Sequence, residues 1–330
     1  MKETVRLALV GCGGHMYNLM YDYLKNSPIE LAAVCDLDEA KLARFTAKYT
    51  VGSTYTDYRK MLAEVKPDAV FCITDAQTHY EVARDSMLAG AHVYIEKTPS
   101  VTAAQAAELS AIQRRTGLIG MTGFNRRFST AYMMAKEIID RPEFAPVTMY
   151  LAKYNSSPYR SEEYFLLNHI IHHLDVARYF LGEIADLHVR RVRVSDTLVG
   201  FHVSFATENG AIGMLQSGSL QYEQTPMERI EITGVGRSVI IDNVMRLEYN
   251  RPAARKDGLY GPKLEDGGDT LVWNLNHGLM TNNTHYGFDR GLLTFIDCVR
   301  QGKPGSPDFE DSARTMALYE QLLAAVKESC

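Results

Sequence analysis

Short apolar runs and helix-periodic stretches alternate through the first 122 residues. Val5–Val10 is apolar and stops at Gly11-Cys12-Gly13-Gly14. A helical pattern follows and ends near Ser27-Pro28, because proline cannot continue a helix. Ile29–Cys35 and Ala69–Thr74 are further apolar strands. Between them the pattern predicts helices over Glu39–Tyr49, capped by Asp38, and over Tyr58–Val65, opened by Asp57. A helix over Gln77–Ala89 closes at Gly90. His92–Ile95, a helix from Thr102 to Arg115, and Leu118–Thr122 complete the series. Strands apolar on both faces, separated by helices, specify a parallel sheet covered on both sides.

The pattern changes after residue 122. A helix around Ala131–Ile139 precedes Val147–Lys153, a strand of alternating character. A long helical pattern runs from about Ser161 to Leu181 and closes at Gly182. Strand-like runs then follow one another: Ala185–Ser195, Thr197–Ala206, Ala211–Ser217, Glu228–Thr233, Ser238–Asp242 and Arg246–Tyr249. Turn signals such as Glu208-Asn209-Gly210 make this sheet antiparallel. Residues 252–285 are a Gly-, Asp- and Asn-rich excursion, and helices near Phe288–Gln301 and Phe309–Lys327 end the chain. The fold class is a doubly wound α/β domain over 1–122, followed by an α+β domain over 123–330.

Composition narrows the function classes. The 330 residues are 46% hydrophobic and 23% charged, with 35 Lys+Arg against 40 Asp+Glu and a net charge of −5. That excludes a disordered chain and gives no basic footprint for nucleic acid or an anionic membrane. The basic run at Arg190-Arg191-Val192-Arg193 reads as the outer side of a strand. Five scattered cysteines without a C-x-x-C pair fit reduced thiols and a cytoplasmic location. No apolar stretch is long enough to span a membrane.

Chemistry enters at the first strand–helix turn. In Gly11-Cys12-Gly13-Gly14-His15-Met16, the first glycine permits a tight turn and the second admits a pyrophosphate close to the backbone. The helix start offers unpaired N–H groups to phosphates. Asp36 ends the second strand, 20 residues beyond Met16, where an acid meets the adenosine ribose. Leu37, Asp38 and Glu39 follow it, with no cation among them for a 2′-phosphate, so NAD is favoured over NADP. Two further segments stand out. Tyr94-Ile95-Glu96-Lys97-Thr98-Pro99 puts a Glu-Lys pair at the carboxyl end of a core strand, where open α/β sheets bind ligands. Asn168, His172 and Asp175 are spaced to share one helix face.

Together with Thr74…His79, Ala89-Gly90-Ala91-His92-Val93, Gly123-Phe124-Asn125-Arg126-Arg127-Phe128, Leu181-Gly182-Glu183 and Gly287-Phe288…Phe295-Ile296-Asp297, these segments make the chain resemble the glucose–fructose oxidoreductase / inositol dehydrogenase (Gfo/Idh/MocA) family over nearly its whole length. The resemblance implies an N-terminal Rossmann domain and a C-terminal domain with a large open sheet, through which homodimers or homotetramers form. It also implies a nicotinamide cofactor and hydride transfer at a ring carbon of a sugar, sugar derivative or cyclitol; the charge balance adds the expectation of no nucleic-acid or membrane partner.

On that resemblance Lys97 and His172 are catalytic, and Asn168 stands where the family has an Asp. Oxidising a secondary alcohol needs a base for the hydroxyl proton, a task suited to His172. A cation such as Lys97 can hold the alkoxide charge that develops. Cofactor contacts are expected from Gly11, Cys12, Gly13, Gly14, His15, Met16, Asp36, Thr74, His79, Glu96 and Lys97. Substrate contacts are expected from Arg127, Asn155, Tyr159, Arg160, His173 and His285; the last lies in a polar cluster of Asn282, Asn283, Thr284, His285 and Tyr286. The closely spaced His169, His172 and His173 lack a metal-site pattern, so no metal is expected. Three departures stand out: Thr98 ahead of Pro99, Met16 in place of a small residue, and Asn168. Met16 should push the first helix slightly off its strand. Two alternatives follow from the resemblance: transient oxidation by tightly held NAD with no net redox change, and a non-catalytic NAD-binding sensor.

Overall fold

The computed structural model describes residues 3–221, 227–252, 270–275 and 282–328, without the side chains of Leu19, Met20, Asn282 and Asn283. Most of the excursion at 252–285 and the terminal Cys330 therefore lie outside the described residues. The chain clusters into two units, Met1–Asn125 with Phe288–Glu320, and Arg126–Gly287 with Gln321–Cys330.

The first unit is a six-stranded parallel sheet. Its strands are β1 (Val5–Val10), β2 (Ile29–Cys35), β3 (Ser53–Tyr55), β4 (Ala69–Cys72), β5 (His92–Glu96) and β6 (Gly120–Gly123). They lie in the order β3-β2-β1-β4-β5-β6, which reverses direction between β1 and β4. That reversal is the topological switch point where doubly wound sheets bind ligands. The expected helices are α1 (Tyr21–Leu24), α2 (Glu39–Lys48), α3 (Tyr58–Val65), α4 (Ala76–Leu88) and α5 (Ala103–Thr116). Asp38, Asp57 and Asp75 cap α2, α3 and α4 through their side chains, and Thr102 closes a capping box with Gln105 on α5. The chain ahead of α1 winds as a π-helix over Met16–Met20. Met16 is fully buried there.

The second unit holds an eight-stranded sheet behind α6 (Thr130–Ile139) and a long helix. The helix starts as α7 (Glu162–Phe165), passes through a π segment at Leu166–Ile170 and continues as α8 (Ile171–Leu181). Gly182 ends it at φ 85, a conformation that side chains disfavour. The strands are β7 (Val147–Asn155), β8 (Ile184–Arg193), β9 (Val199–Thr207), β10 (Ile212–Gly218), β11 (Met227–Gly234), β12 (Arg237–Asp242), β13 (Arg246–Asn250) and β14 (Thr270–Asn274). Their order is β14-β13-β12-β11-β7-β10-β9-β8, with β7 and β10 parallel and the other neighbours antiparallel. The mainly antiparallel open sheet is thus present, and β7 sits at its middle. Along β7 the residues Tyr150, Ala152 and Tyr154 are buried, while Met149 and Leu151 are 50% and 40% exposed on the other face. Met149 is directly opposite Ile212 and Leu151 opposite Met214, so four exposed apolar side chains form one patch. The basic run lies on β8, at the edge of the sheet, where Arg191 pairs with Glu162. The chain ends in α9 (Asn282–His285), α10 (Phe288–Gln301) and α11 (Phe309–Glu328). Phe295 of α10 packs on Phe71 and Tyr94, at ring distances of 5.2 and 5.8 Å.

Candidate active site

The glycine turn after β1 is held by its neighbours on both sides of the switch point. Gly11 has φ +94, and a Cβ there would lie 2.3 Å from the Ile73 carbonyl oxygen. Only glycine lets the turn press on the strand beside it. At Gly13, by contrast, a Cβ would meet nothing within 4 Å, so the backbone there faces open space. Cys12 donates its N–H to the Asp36 carboxylate at 2.7 Å, and Asp38 donates its own at 3.0 Å. Asp36 therefore braces the turn as well as standing beside it. The Cys12, Cys35 and Cys72 thiols are buried beneath, and burial pushes each up to about 12.

A cavity of about 860 Å³ opens at this point, lined in part by Gly11, Gly13, Asp36, Leu37, Lys41 and Thr74. Leu37 exposes 90% of its surface at the mouth, a position that polarity patterning does not pick out. An apolar side chain there suits the face of a nucleobase. Lys41 also lines the cavity, but its ammonium is 3.9 Å from Asp36 and 3.8 Å from Asp38, so these carboxylates already answer its charge. The residues present fit a dinucleotide whose ribose carries free hydroxyls.

Around β5, two residues expected at the cofactor, Glu96 and His79, are engaged with protein groups. The Glu96 side chain turns inward. It is 4% exposed, accepts a hydrogen bond from the Tyr94 hydroxyl, and occupies the space a Cβ on Gly123 would need. Burial pushes its carboxyl up to about 7, opposed by the Lys97 charge. His79 is 1% exposed and uses both ring nitrogens on backbone groups, Thr74 N–H at 3.0 Å and Thr98 C=O at 2.9 Å. Lys97 is half-buried, and the Lys97–Thr98 peptide is cis. His15 stands edge-on to Phe288 at 5.4 Å, within reach of the Lys97 charge. Crowding by protein atoms, and secondarily that charge, lower its pKa.

In the second unit the π segment carries Asn168 and leads into His172, which is 8% exposed. A π turn leaves a carbonyl without the N–H it would meet in an α-helix, and Asn168 Nδ2 donates to the Tyr164 C=O at 3.1 Å. A ring column lies alongside. Phe165 stacks on His169 (4.5 Å), His169 on Tyr154 (3.8 Å), and His173 leans on Tyr154 (3.9 Å). Arg126 caps it, donating to the Tyr154 hydroxyl at 2.6 Å and pairing with buried Glu228. Tyr132 also donates to Glu228.

Several residues expected at the substrate have partners within this unit. Arg127 forms a bidentate pair with Asp175, at 2.8 and 2.6 Å, so its fork is committed inside the unit. Asn155 ends β7 on the face opposite Tyr154, because side chains alternate along a strand. His173 is 1% exposed, and burial and then the Arg126 charge hold it far below its usual pKa as a neutral ring. His285 is equally buried at the end of α9. Tyr159 and Arg160 do line a hollow of about 380 Å³, with Tyr154, Ser156 and Tyr164. Tyr159 shares a hydrogen bond with His169 at 3.0 Å, and the Arg160 guanidinium lies 3.7 Å over the Tyr164 ring. Among the described residues no group of three or more His, Cys, Asp or Glu is gathered to hold a metal. Nor is any described helix long and apolar enough to cross a membrane.

Comparison with known proteins settles the kind of molecule this is. Residues 5–124 match the Gfo/Idh/MocA family model described as an oxidoreductase family with an NAD-binding Rossmann fold, and residues 153–330 match that family's C-terminal alpha/beta domain. The chain belongs to this family. It is an NAD-binding oxidoreductase, and its two sheets have the architecture of Gfo/Idh/MocA structures. A D-apiose dehydrogenase of Paraburkholderia graminis is 24% identical over 97% of this chain and 87% of its own. A myo-inositol 2-dehydrogenase of Thermotoga maritima is 26% identical over 87% of this chain and 86% of its own. A dehydrogenase structure from Chromobacterium violaceum superposes with a TM-score of 0.87 at 21% identity, covering 98% of this chain and 96% of that one. Within this Gfo/Idh/MocA enzyme, the glycine turn, Asp36 and Thr74 come together around one cavity, and Tyr159 and Arg160 around one hollow.

Proposed function

We propose that this oxidoreductase oxidises a ring hydroxyl of a sugar, sugar derivative or cyclitol, with NAD as hydride acceptor. The observation that carries the cofactor half is Asp36, placed at the cavity with a carboxylate oxygen for the ribose and with Lys41 already answered. The substrate half is supported by relatives named for apiose and inositol, and by a hollow whose hydroxyls and guanidinium suit a polyol.

NAD supplies the hydride acceptor; the remaining work falls to the chain. The Gly11–Gly14 backbone would hold the pyrophosphate, Asp36 the adenosine ribose and Leu37 the base. His172 takes the hydroxyl proton, and the Lys97 ammonium stabilises the developing alkoxide. Asn168 holds the turn from which His172 projects. Tyr159 and Arg160 orient the polyol. A second copy of the chain covers the apolar patch of Met149, Leu151, Ile212 and Met214, which makes the enzyme a homo-oligomer.

The test is a spectrophotometric screen of D-apiose, inositols and common aldoses, with NAD and NADP in parallel. Stoichiometric NADH formation with at least one member is expected, slower with NADP. Substrate consumption without NADH accumulation, or no hydride transfer across the panel, defeats the reading. His172→Ala retaining near-wild-type turnover at neutral pH defeats the assignment of the base.

A further inference from the structure

We propose that His79 is a positioning residue that aims Lys97. The bonding leaves one arrangement of its protons. Thr74 N–H can only donate, so Nε2 must present its lone pair at 3.0 Å. Thr98 C=O can only accept, so Nδ1 must carry the hydrogen at 2.9 Å. A single neutral tautomer satisfies both, and at 1% exposure no solvent competes for either bond. The Thr98 carbonyl belongs to the residue that follows Lys97. Fixing it fixes the backbone from which the Lys97 side chain departs. The other end of the strut, Thr74, adjoins the nucleotide turn: its methyl and the Ile73 carbonyl fill the space a Gly11 Cβ would take, at 2.8 and 2.3 Å. One imidazole therefore sets the lysine turn relative to the turn that receives the dinucleotide. The ring meets Asp75 and Lys97 as its charged neighbours, from the start of α4 and the end of β5. A catalytic cation displaced by about an ångström loses up to about a hundredfold in rate, so the strut matters to turnover more than to cofactor affinity.

The inference rests on Lys97 acting at the reacting carbon, and the experiment separates the two. Leucine at 79 keeps the volume and removes both bonds. Glutamine offers an acceptor and a donor at about the spacing of the two ring nitrogens. For His79→Leu, with the panel member that turns over fastest, kcat is expected to fall by about 30-fold. The Kd for NAD, measured by calorimetry, should stay within about threefold, and His79→Gln should restore kcat to within about threefold of wild type. Should His79→Leu yield no folded protein, His79→Asn takes its place. It is too short to make both bonds and is expected to lose about tenfold in kcat at constant Kd. The proposal is overturned by undiminished kcat, by kcat and NAD affinity falling in parallel, or by failure of glutamine to rescue. Lys97→Met tests the premise separately. Loss of turnover in Lys97→Met with full activity in His79→Leu ends the positioning role alone, whereas an active Lys97→Met ends the reading of Lys97.

Discussion

Replacing Glu96 by Gln should change how stability depends on pH, by an amount the structure sets. Burial raises the Glu96 carboxyl from 4.5 to about 7. The native state then holds this proton more tightly than the unfolded chain does. The stability the group contributes is whole below pH 4.5 and drains away as pH rises through about 7. At about 1.4 kcal/mol per pKa unit, the window is worth roughly 3 kcal/mol. His79 acts in the opposite sense. Burial lowers it from 6.5 to about 4, so its contribution is whole above pH 6.5 and is lost as pH falls through about 4. Over most of the acid range the two slopes oppose and mask each other in the wild type. Glutamine keeps the shape that fills the space beside Gly123 and can still accept from the Tyr94 hydroxyl, but it does not titrate. The difference in unfolding free energy, variant minus wild type, should therefore grow by roughly 3 kcal/mol from acid to neutral pH. Everything common to the two proteins cancels from it.

The choice of probe matters. The one tryptophan, Trp273, lies on β14 of the second unit, so its fluorescence reports the wrong sheet. Hydrogen exchange of the β4 and β5 amides, corrected for intrinsic pH dependence, reads the unit that holds Glu96. A difference that stays flat to within about 0.5 kcal/mol means the carboxyl never leaves its ordinary range and refutes the burial argument. A difference of opposite slope means that Lys97 outweighs burial.

Asp36→Ala should raise the KM for NAD about tenfold, since a charged acceptor is lost to the ribose and the Cys12 N–H alike. The same change leaves Lys41 with Asp38 alone, so the preference for NAD over NADP should shrink in parallel assays; an unchanged ratio removes the basis for cofactor choice. Arg127→Gln leaves Asp175 buried without its bidentate partner and should cost about 3–5 kcal/mol in thermal or denaturant unfolding. Arg160→Gln should leave stability alone and raise the KM for the substrate, and the reverse pattern would exchange their roles. Met149→Glu combined with Ile212→Glu puts charge into the apolar patch and should shift the mass seen by light scattering from oligomer to monomer. An unchanged mass places the interface elsewhere.

The first sheet was readable because its signals are local. Strands apolar on both faces, side-chain caps and a glycine turn are each specified within a few residues. β3 escaped because Ser53–Tyr55 is three residues long and only half-buried. β14 escaped because it lies inside the Gly- and Asn-rich excursion. In the sites the division is the same. Gly11 and Asp36 could be placed from spacing, since the turn and the strand end fix them. Arg127, Glu96 and His79 could not, because their partners depend on which way a side chain turns after folding. Asp175 lies 48 residues from Arg127 in sequence, and nothing at either position announces the pair. Leu37 carried no signal beyond being a lone apolar residue between two aspartates.

The sequence resemblance implies an aspartate where this chain has Asn168, and the π turn gives that difference a physical content. An aspartate cannot donate to the Tyr164 carbonyl while ionised, and its oxygen would face another oxygen where Nδ2 now lies at 3.1 Å. Asn168→Asp should therefore lower stability at neutral pH by about 1–3 kcal/mol, the usual cost of a lost and reversed hydrogen bond in a half-buried setting. Facing a carbonyl, the new carboxyl is held above its ordinary range. Protonation gives it an O–H to donate, so the deficit should shrink as pH falls below about 5. Denaturant midpoints of wild type and variant, read through Trp273 in the same unit, measure both effects. A variant as stable as wild type at neutral pH shows that the amide answers nothing essential at Tyr164. A deficit that grows in acid shows that the carboxylate has found a cation instead. Either result would mean that an aspartate fits this helix unaided and that the bond to Tyr164 does not explain the asparagine.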